Sequence, residues 1–199
     1  MDYTKLSLAE VRAALEGIAR ETEATFGSLD ARQLNWRPDA ARWSVGQCFE
    51  HLLLSNRLMF TAAKEAMNPA RPRTLWQRVP GLPGVFGRML IRSQAPGSTR
   101  KFTASPNAQP AASDVAADVV RRFGDQHREA VGWVAGLDER DAGRAIMTSP
   151  FVRLICYSVL DGCRLVVAHD RRHVEQADRV TREPGFPGTV PIGSRVHNR

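Results

Sequence analysis

Only three of the 199 residues are cysteine, and Cys48, Cys156 and Cys163 are an odd number without CxxC spacing. That excludes a disulfide framework, and a chain of this length buries enough core to need none. Free thiols are expected. Long apolar runs are also missing. Leu52-Leu53-Leu54 and Leu165-Val166-Val167-Ala168 are flanked by polar residues and fall far short of the ~20 residues that span a bilayer. No transmembrane helix is expected. Met1-Asp2-Tyr3-Thr4-Lys5 leads into mixed polar sequence rather than an apolar signal segment, so a cytoplasmic address is expected. The third absence is acid. Residues 66–113 hold Arg71, Arg73, Arg78, Arg88, Arg92, Arg100 and Lys101 but no Asp or Glu, and this stretch carries the whole net charge of +7. It also holds seven of the twelve prolines, which break any long helix. The segment 68–112 reads as an extended crossover with one short helix around Thr74 to Ser93.

What is present is helical periodicity. Ser7-Leu8-Ala9-Glu10 is a capping box, and Leu8, Val11, Leu15, Ile18 and Thr22 follow as one apolar stripe ending near Phe26-Gly27. Ser44-Val45-Gly46-Gln47 opens a second helix that runs to about Met67 before Asn68-Pro69. Ser113 is the expected cap of a third, with a stripe of Ala116, Val119, Val120, Phe123, Val131 and Val134 that ends near Gly136-Leu137. Ser158, with Asp161 three residues on, starts a fourth that ends near Arg182. No strand alternation opposes this frame, and Val152 to Tyr157 reads as an extended lead-in. The expected fold is all-α, a single four-helix bundle domain over 1–199. Its core is about 5–182, with a long crossover between helices two and three and an irregular tail over 184–199.

His169 and His173 lie four apart on the fourth helix, so both imidazoles share one face and one ion can reach both. Such a pair also occurs on plain solvated faces, and a third ligand decides between the readings. His51, early in the second helix among Cys48, Leu52 and Leu54, is the candidate, although a lone histidine there also reads as a core residue. His169-Asp170-Arg171-Arg172-His173 approaches the HExxH pattern of zinc peptidases with Asp170 at the base position. No further ligand follows at peptidase spacing, so that reading is set low. His127 reads as a solvated or rim residue, Cys48 and Cys163 as core residues. Gln47, Glu50 and Gln176 are positioned to hold a free imidazole N–H, with Gln47 better explained as a helix cap.

Leu34-Asn35-Trp36-Arg37-Pro38 followed by Trp43-Ser44-Val45-Gly46-Gln47-Cys48-Phe49-Glu50-His51-Leu52 resembles the second-helix signature of the DinB-like superfamily. Ala168-His169-Asp170-Arg171-Arg172-His173-Val174-Glu175-Gln176 resembles its final-helix segment. Arg100-Lys101-Phe102 and the helix containing Phe123 fall in the usual order, so the resemblance covers most of residues 5 to 182. It implies an up-down-down-up bundle with a divalent metal ion held by His51, His169 and His173. Zinc, nickel, iron and manganese are all open as its identity. It implies metal-dependent thiol transfer, with a low-molecular-weight thiol such as glutathione, mycothiol or bacillithiol, or related isomerase or hydrolase chemistry. Homodimers are common in such bundles. No catalytic residue beyond the ligands is readable.

Other classes remain on the sequence. One is a non-catalytic or stress-linked bundle that keeps a metal for stability. A weaker one is nucleic-acid binding through Trp76, Phe86 and Phe102 among the arginines, against which no recognised motif is present. Weaker still is membrane-surface association of the stretch from Leu75 to Arg92, interrupted by Pro80 and Pro83. A basic crossover beside a metal site favours an anionic small-molecule substrate over a polyanion. The seven basic residues are therefore expected to face the histidine pocket.

Overall fold

The computed structural model describes residues 1–98 and 104–188. Four long helices form the frame: α1 (Leu8–Phe26), α3 (Val45–Ala66), α6 (Val119–Ala135) and α8 (Val159–Thr181), with the short α2 (Ala31–Asn35) between α1 and α3. Ser7 and Glu10 cap α1 reciprocally, as do Ser44 and Gln47 for α3, while the Ser158 hydroxyl accepts from the Asp161 N–H at the start of α8. Each box satisfies donors that the first helical turn leaves free.

The third long helix begins five residues later than Ser113 suggests. Ser113 is exposed and caps nothing among the described residues, because the next turn is claimed elsewhere. Val115 donates its N–H to Asn35 Oδ1 (2.7 Å), and its carbonyl accepts from Asn35 Nδ2 (3.0 Å). One amide side chain thus takes both backbone groups, and Val115 is held against α2 instead of entering a helix. The stripe from Val119 onward is as expected, with Val119, Val120, Phe123 and Val134 buried.

Among the described residues the crossover holds two α-helices rather than one helix, α4 (Leu75–Arg78) and α5 (Leu82–Gln94), followed by a 3-10 turn over Pro106–Ala108. Thr74 and Gln77 cap α4. Pro80 then denies a helical N–H, and Gly81 at φ +76° turns the chain into α5, whose first turn contains Pro83. Beyond α6, α7 (Glu139–Arg144) leads into an antiparallel pair, β1 (Ile146–Thr148) and β2 (Cys156–Ser158), with Met147 opposite Tyr157. The expected extended lead-in is in part a paired strand. All three residues of β2 are buried, so no polar alternation marks it.

Helix directions follow from side-chain contacts. Phe49 meets Phe123 and Phe60 meets Trp133, with ring centroids 5.2 Å and 5.8 Å apart, so α3 and α6 run parallel. Asn56 bonds Asp170, and the Tyr157 hydroxyl at the head of α8 donates to Met59 Sδ, so α3 and α8 are antiparallel. Arg164 bonds the Leu6 carbonyl and Arg171 pairs with Glu21, which sets α1 parallel to α8. Val11, Leu15, Ile18, Phe49, Leu52, Phe123 and Val167 fill the centre, each at most 1% exposed. Each such side chain contributes about 1.5–3 kcal/mol through burial. Among the described residues no helix is long and apolar enough to cross a membrane.

Helix α5 lies along α8 and walls one side of the histidine site. Its Gly87 is the point of closest approach, where a Cβ would stand 2.5 Å from Asp161 Oδ2 and 3.0 Å from its Cβ. Gly87→Ala is expected to push α5 off α8 and cost about 1–3 kcal/mol, an overpacking penalty. A urea midpoint equal to that of the wild type would contradict this contact.

Candidate metal centre

His51, on the second turn of α3, meets His169 and His173, one turn apart on the facing side of α8. The three ring centroids lie 5.1, 4.7 and 4.6 Å from one another. One nitrogen from each ring lies within 4.8 Å of the others, a group able to hold a metal ion. His51 Nδ1 lies 2.6 Å from the Ala108 carbonyl oxygen, so that nitrogen carries the ring proton and donates it. The Nε2 lone pair of His51 is left facing His169 Nε2 at 3.2 Å. That separation suits two ligands that share an ion at roughly 2.0–2.1 Å from each. His173 Nδ1 is buried and lacks a hydrogen-bond partner among the described residues, a cost unless something else satisfies it. These features fit a divalent cation.

The electrostatics agree with that fit. Burial, followed by the charge of the neighbouring histidines and Arg172, holds His169 well below the usual imidazole range. Burial, His51 and Arg172 bring His173 down to about 3, against the opposing effect of Gln176. His51 is lowered by burial, partly offset by its bond to Ala108. Near neutral pH all three rings are unprotonated, the state in which imidazole binds metal. A base whose folded pKa is depressed makes stability rise with pH between the folded and unfolded values. The metal-free protein is therefore expected to lose stability steadily as pH falls from about 6.5. Denaturant midpoints that stay constant across that interval would contradict neutral, buried rings.

The partner of His51 was not legible in the sequence. Gln47 donates to the Ala111 carbonyl at 2.9 Å, and Glu50 accepts from the Ala111 N–H at 2.8 Å. Both therefore act at one remove, clamping the crossover to α3 so that the nearby Ala108 carbonyl reaches the ring. Trp43, just before α3, covers the centre from outside. Its ring lies 4.9 Å from that of His51 and stacks on that of His173 at 5.8 Å.

The triad opens on a cavity of about 1200 Å³ between α3, α5, α8 and the loop joining the strands. Met59, Leu90, Phe151, Ile155, Tyr157 and Leu165 supply apolar wall, and Arg42, Arg172 and Arg179 supply the cationic groups. No Asp or Glu lines it among the described residues. Ser55 Oγ and Asn56 Oδ1, from residues that line the cavity about one turn beyond His51, are buried without hydrogen-bond partners among the described residues.

Among the described residues the basic crossover does not supply this charge. Arg71, Arg73, Arg78, Arg88 and Arg92 are all exposed and none lines the cavity. Arg73 instead donates to the Arg144 carbonyl at 2.9 Å. Arg100, Lys101 and Phe102 lie outside the described residues, as do Thr99, Thr103 and 189–199 with His197.

Asp170 is not a base beside the metal centre. It is 0% exposed, and its carboxylate accepts from Asn56 Nδ2 at 3.0 and 3.2 Å and faces His127 Nε2 at 3.0 Å. His127 is correspondingly a core residue, 1% exposed, where a solvated or rim position is expected from sequence. Its Nδ1 faces the Phe123 carbonyl at 3.1 Å. Both ring nitrogens of His127 thus face oxygen, and the ring is held from both sides. The cluster Asn56–Asp170–His127 ties α3, α8 and α6 together under the triad.

All three cysteines are buried and free. Burial pushes the thiols of Cys48 and Cys163 up to about 12, and Cys156 is also raised. None serves as a thiolate nucleophile near neutral pH. A disulfide reagent is expected to modify no cysteine rapidly until the protein is unfolded; one fast equivalent in the native state would overturn this.

No curated protein and no solved structure matches the chain at a significant level. One family model does, over residues 14–177, a span that contains Trp43, the three histidines, Ala108 and the Asn56–Asp170–His127 cluster. With most of its length matched, the chain belongs to the DinB superfamily.

Proposed function

We propose that this protein is a metal-dependent enzyme of thiol-transferase or hydrolase type, with His51, His169 and His173 as ligands of one divalent ion. The observation that supports this best is the convergence of three neutral imidazoles on one point at the wall of a large cavity. No carboxylate lines the cavity to complete the coordination among the described residues, and sites with three protein ligands and an open position are typical of catalysis. Once bound, such an ion lowers the pKa of a thiol or water and so supplies an anionic nucleophile at neutral pH. Zinc, nickel, iron and manganese all accept this donor set.

The chain's own residues orient and enclose. Ala108 fixes the His51 tautomer, and Trp43 screens His51 and His173 from solvent. Ser55 Oγ and Asn56 Oδ1 offer a hydroxyl and an acceptor to a polar group of a substrate. Asp170 is committed to structure, which argues against the peptidase reading. The large apolar core argues against a metal kept only for folding, since chelation then costs little of the packing energy.

The test uses the purified protein before and after chelation, assayed with low-molecular-weight thiols and a chromogenic electrophile, and with ester and amide substrates. Activity that disappears on chelation and returns with a divalent ion is the expected result. No metal-dependent turnover with either substrate class, across all four ions, would contradict the proposal.

A further inference from the structure

Among the described residues the exposed large hydrophobic side chains are gathered in one region. Apart from Met1, all of them lie on α4, on α5, or in the loop between β1 and β2. On and just after α4 they are Leu75, Trp76 and Val79, and in the strand loop they are Val152 and Leu154. On α5 they are Val85 and Met89, which share a face with the exposed Arg88 and Arg92 at spacings of three and four. The opposite stripe of α5, with Pro83, Gly87 and Ile91, is buried. These elements adjoin. Helix α4 packs on α5 and on both strands, α5 packs on β2, and the Cys156 thiol donates to the Trp76 carbonyl at 3.4 Å.

The charge of this surface has one sign. Arg71, Arg73, Arg78, Arg88, Arg92 and Arg153 are all exposed, and neither 66–113 nor 142–160 contains an Asp or Glu. None of these arginines enters an ion pair among the described residues. Asp141 of α7 approaches the edge, where Arg71, Arg73 and Arg144 outnumber it. Exposed apolar residues scattered singly need no explanation, but a cluster of them marks a site of contact. The charge decides the occupant. A second copy of this chain, face to face, would set the arginines against their own counterparts with no acid to meet them. A nucleic acid would find mostly aliphatic side chains, which offer no ring for a base to stack on, Trp76 excepted. A protein partner favours an apolar centre with charge at the rim, whereas Val85, Arg88, Met89 and Arg92 alternate along one stripe. At a lipid surface that mixture is favourable, because guanidinium groups hold headgroup phosphates while their stems and the aliphatic residues enter the acyl boundary.

We infer that α4, α5 and the β1–β2 loop form a docking surface for an anionic phospholipid bilayer, on which the protein lies without spanning it. Pro80 and Pro83 break what would be one interfacial helix, and the chain instead sets two short helices beside a loop, so that three elements present apolar residues together. Docking in this way has a consequence for the histidine site. Met89 and Val152 belong to the surface and also line the cavity onto which His51, His169 and His173 open. That rim of the cavity then meets the bilayer, which gives an apolar substrate a route that avoids water. The docking itself needs neither a metal ion nor turnover, so it is tested apart from the catalytic proposal.

The experiment is cosedimentation of the full-length protein with phosphatidylcholine vesicles, with and without about 30% phosphatidylserine, at low and high salt. The protein is expected to bind the anionic vesicles, to bind neutral ones at least about 10-fold more weakly, and to be released from the anionic ones by salt. Arg88→Gln with Arg92→Gln is expected to weaken binding about 10-fold or more, at roughly 5-fold per arginine. Leu75→Ser with Leu154→Ser, at residues 80% and 63% exposed, is expected to weaken it by a comparable factor of about 10. Arg12→Gln with Arg20→Gln, at exposed positions of α1, removes the same charge elsewhere and is expected to stay within about 3-fold of the wild type. All three double variants are checked for wild-type melting temperature. No vesicle binding, equal binding to neutral and anionic vesicles, undiminished binding by either of the first two variants, or an equal loss in the α1 variant would each overturn the inference. So would a protein that ignores vesicles but dimerises, or captures a single-stranded oligonucleotide, through the same residues.

Discussion

His169→Ala is expected to lower divalent-ion affinity by on the order of 100-fold or more, and to do so without unfolding the protein. His169 is one corner of a near-equilateral triangle of rings, its Nε2 3.2 Å from that of His51 and its ring centroid 4.6 Å from that of His173. Its removal leaves two ligands that an open site cannot replace from a neighbouring carboxylate, because none lines the cavity among the described residues. Loss of an outer hydrogen bond to a ligand already costs about 10–100-fold in affinity, and loss of the ligand itself costs more. The fold should survive, since His169 borders the cavity and is not part of the Asn56–Asp170–His127 cluster that ties the helices together. Competition with a chromophoric chelator measures the affinity. A variant that binds the ion as tightly as the wild type would place the metal elsewhere.

Asp170→Ala is expected to act in the opposite way, costing about 3–5 kcal/mol of stability through a group that does not touch the ion. The carboxylate is fully buried and holds both Asn56 and His127, and its loss leaves a buried histidine without its partner. His127→Ala strands Asp170 in the same manner. Because the two changes break one interaction, the double variant is expected to be more stable than the sum of the single losses implies. Urea denaturation of the four metal-free proteins gives the cycle. Strict additivity, or a loss under about 1 kcal/mol for Asp170→Ala, would show that the cluster is not a coupled buried network.

The parts of the molecule that were readable are those where one residue type has one physical use. Ser44 with Gln47, and Ser7 with Glu10, can hardly serve except as caps, and they mark the starts of α3 and α1 to the residue. The three histidines were readable as a set through the resemblance, not through spacing alone. The rest depended on tertiary contacts. Asn35 suppresses a helical turn at Val115 from eighty residues away, and Ala108 contributes only a carbonyl, which every residue has. His127 offered a signal that was available in principle. Asn56, His127 and Asp170 each fall on the apolar stripe of their helix, beside Leu52, Phe123 and Val167, and three polar groups on three core stripes have to satisfy one another. Five of the seven basic residues of the crossover, those that are described, face solvent and not the histidine pocket, because net charge says nothing about direction.

X-ray absorption of the metal-loaded protein tests the central claim most directly. One ion per chain, with a first shell of about three imidazole nitrogens near ~2.0–2.1 Å and the balance oxygen, is the expected result, reduced to two or fewer imidazoles in His169→Ala. A shell dominated by carboxylate oxygen or sulfur, or a protein that takes up no ion, would contradict it.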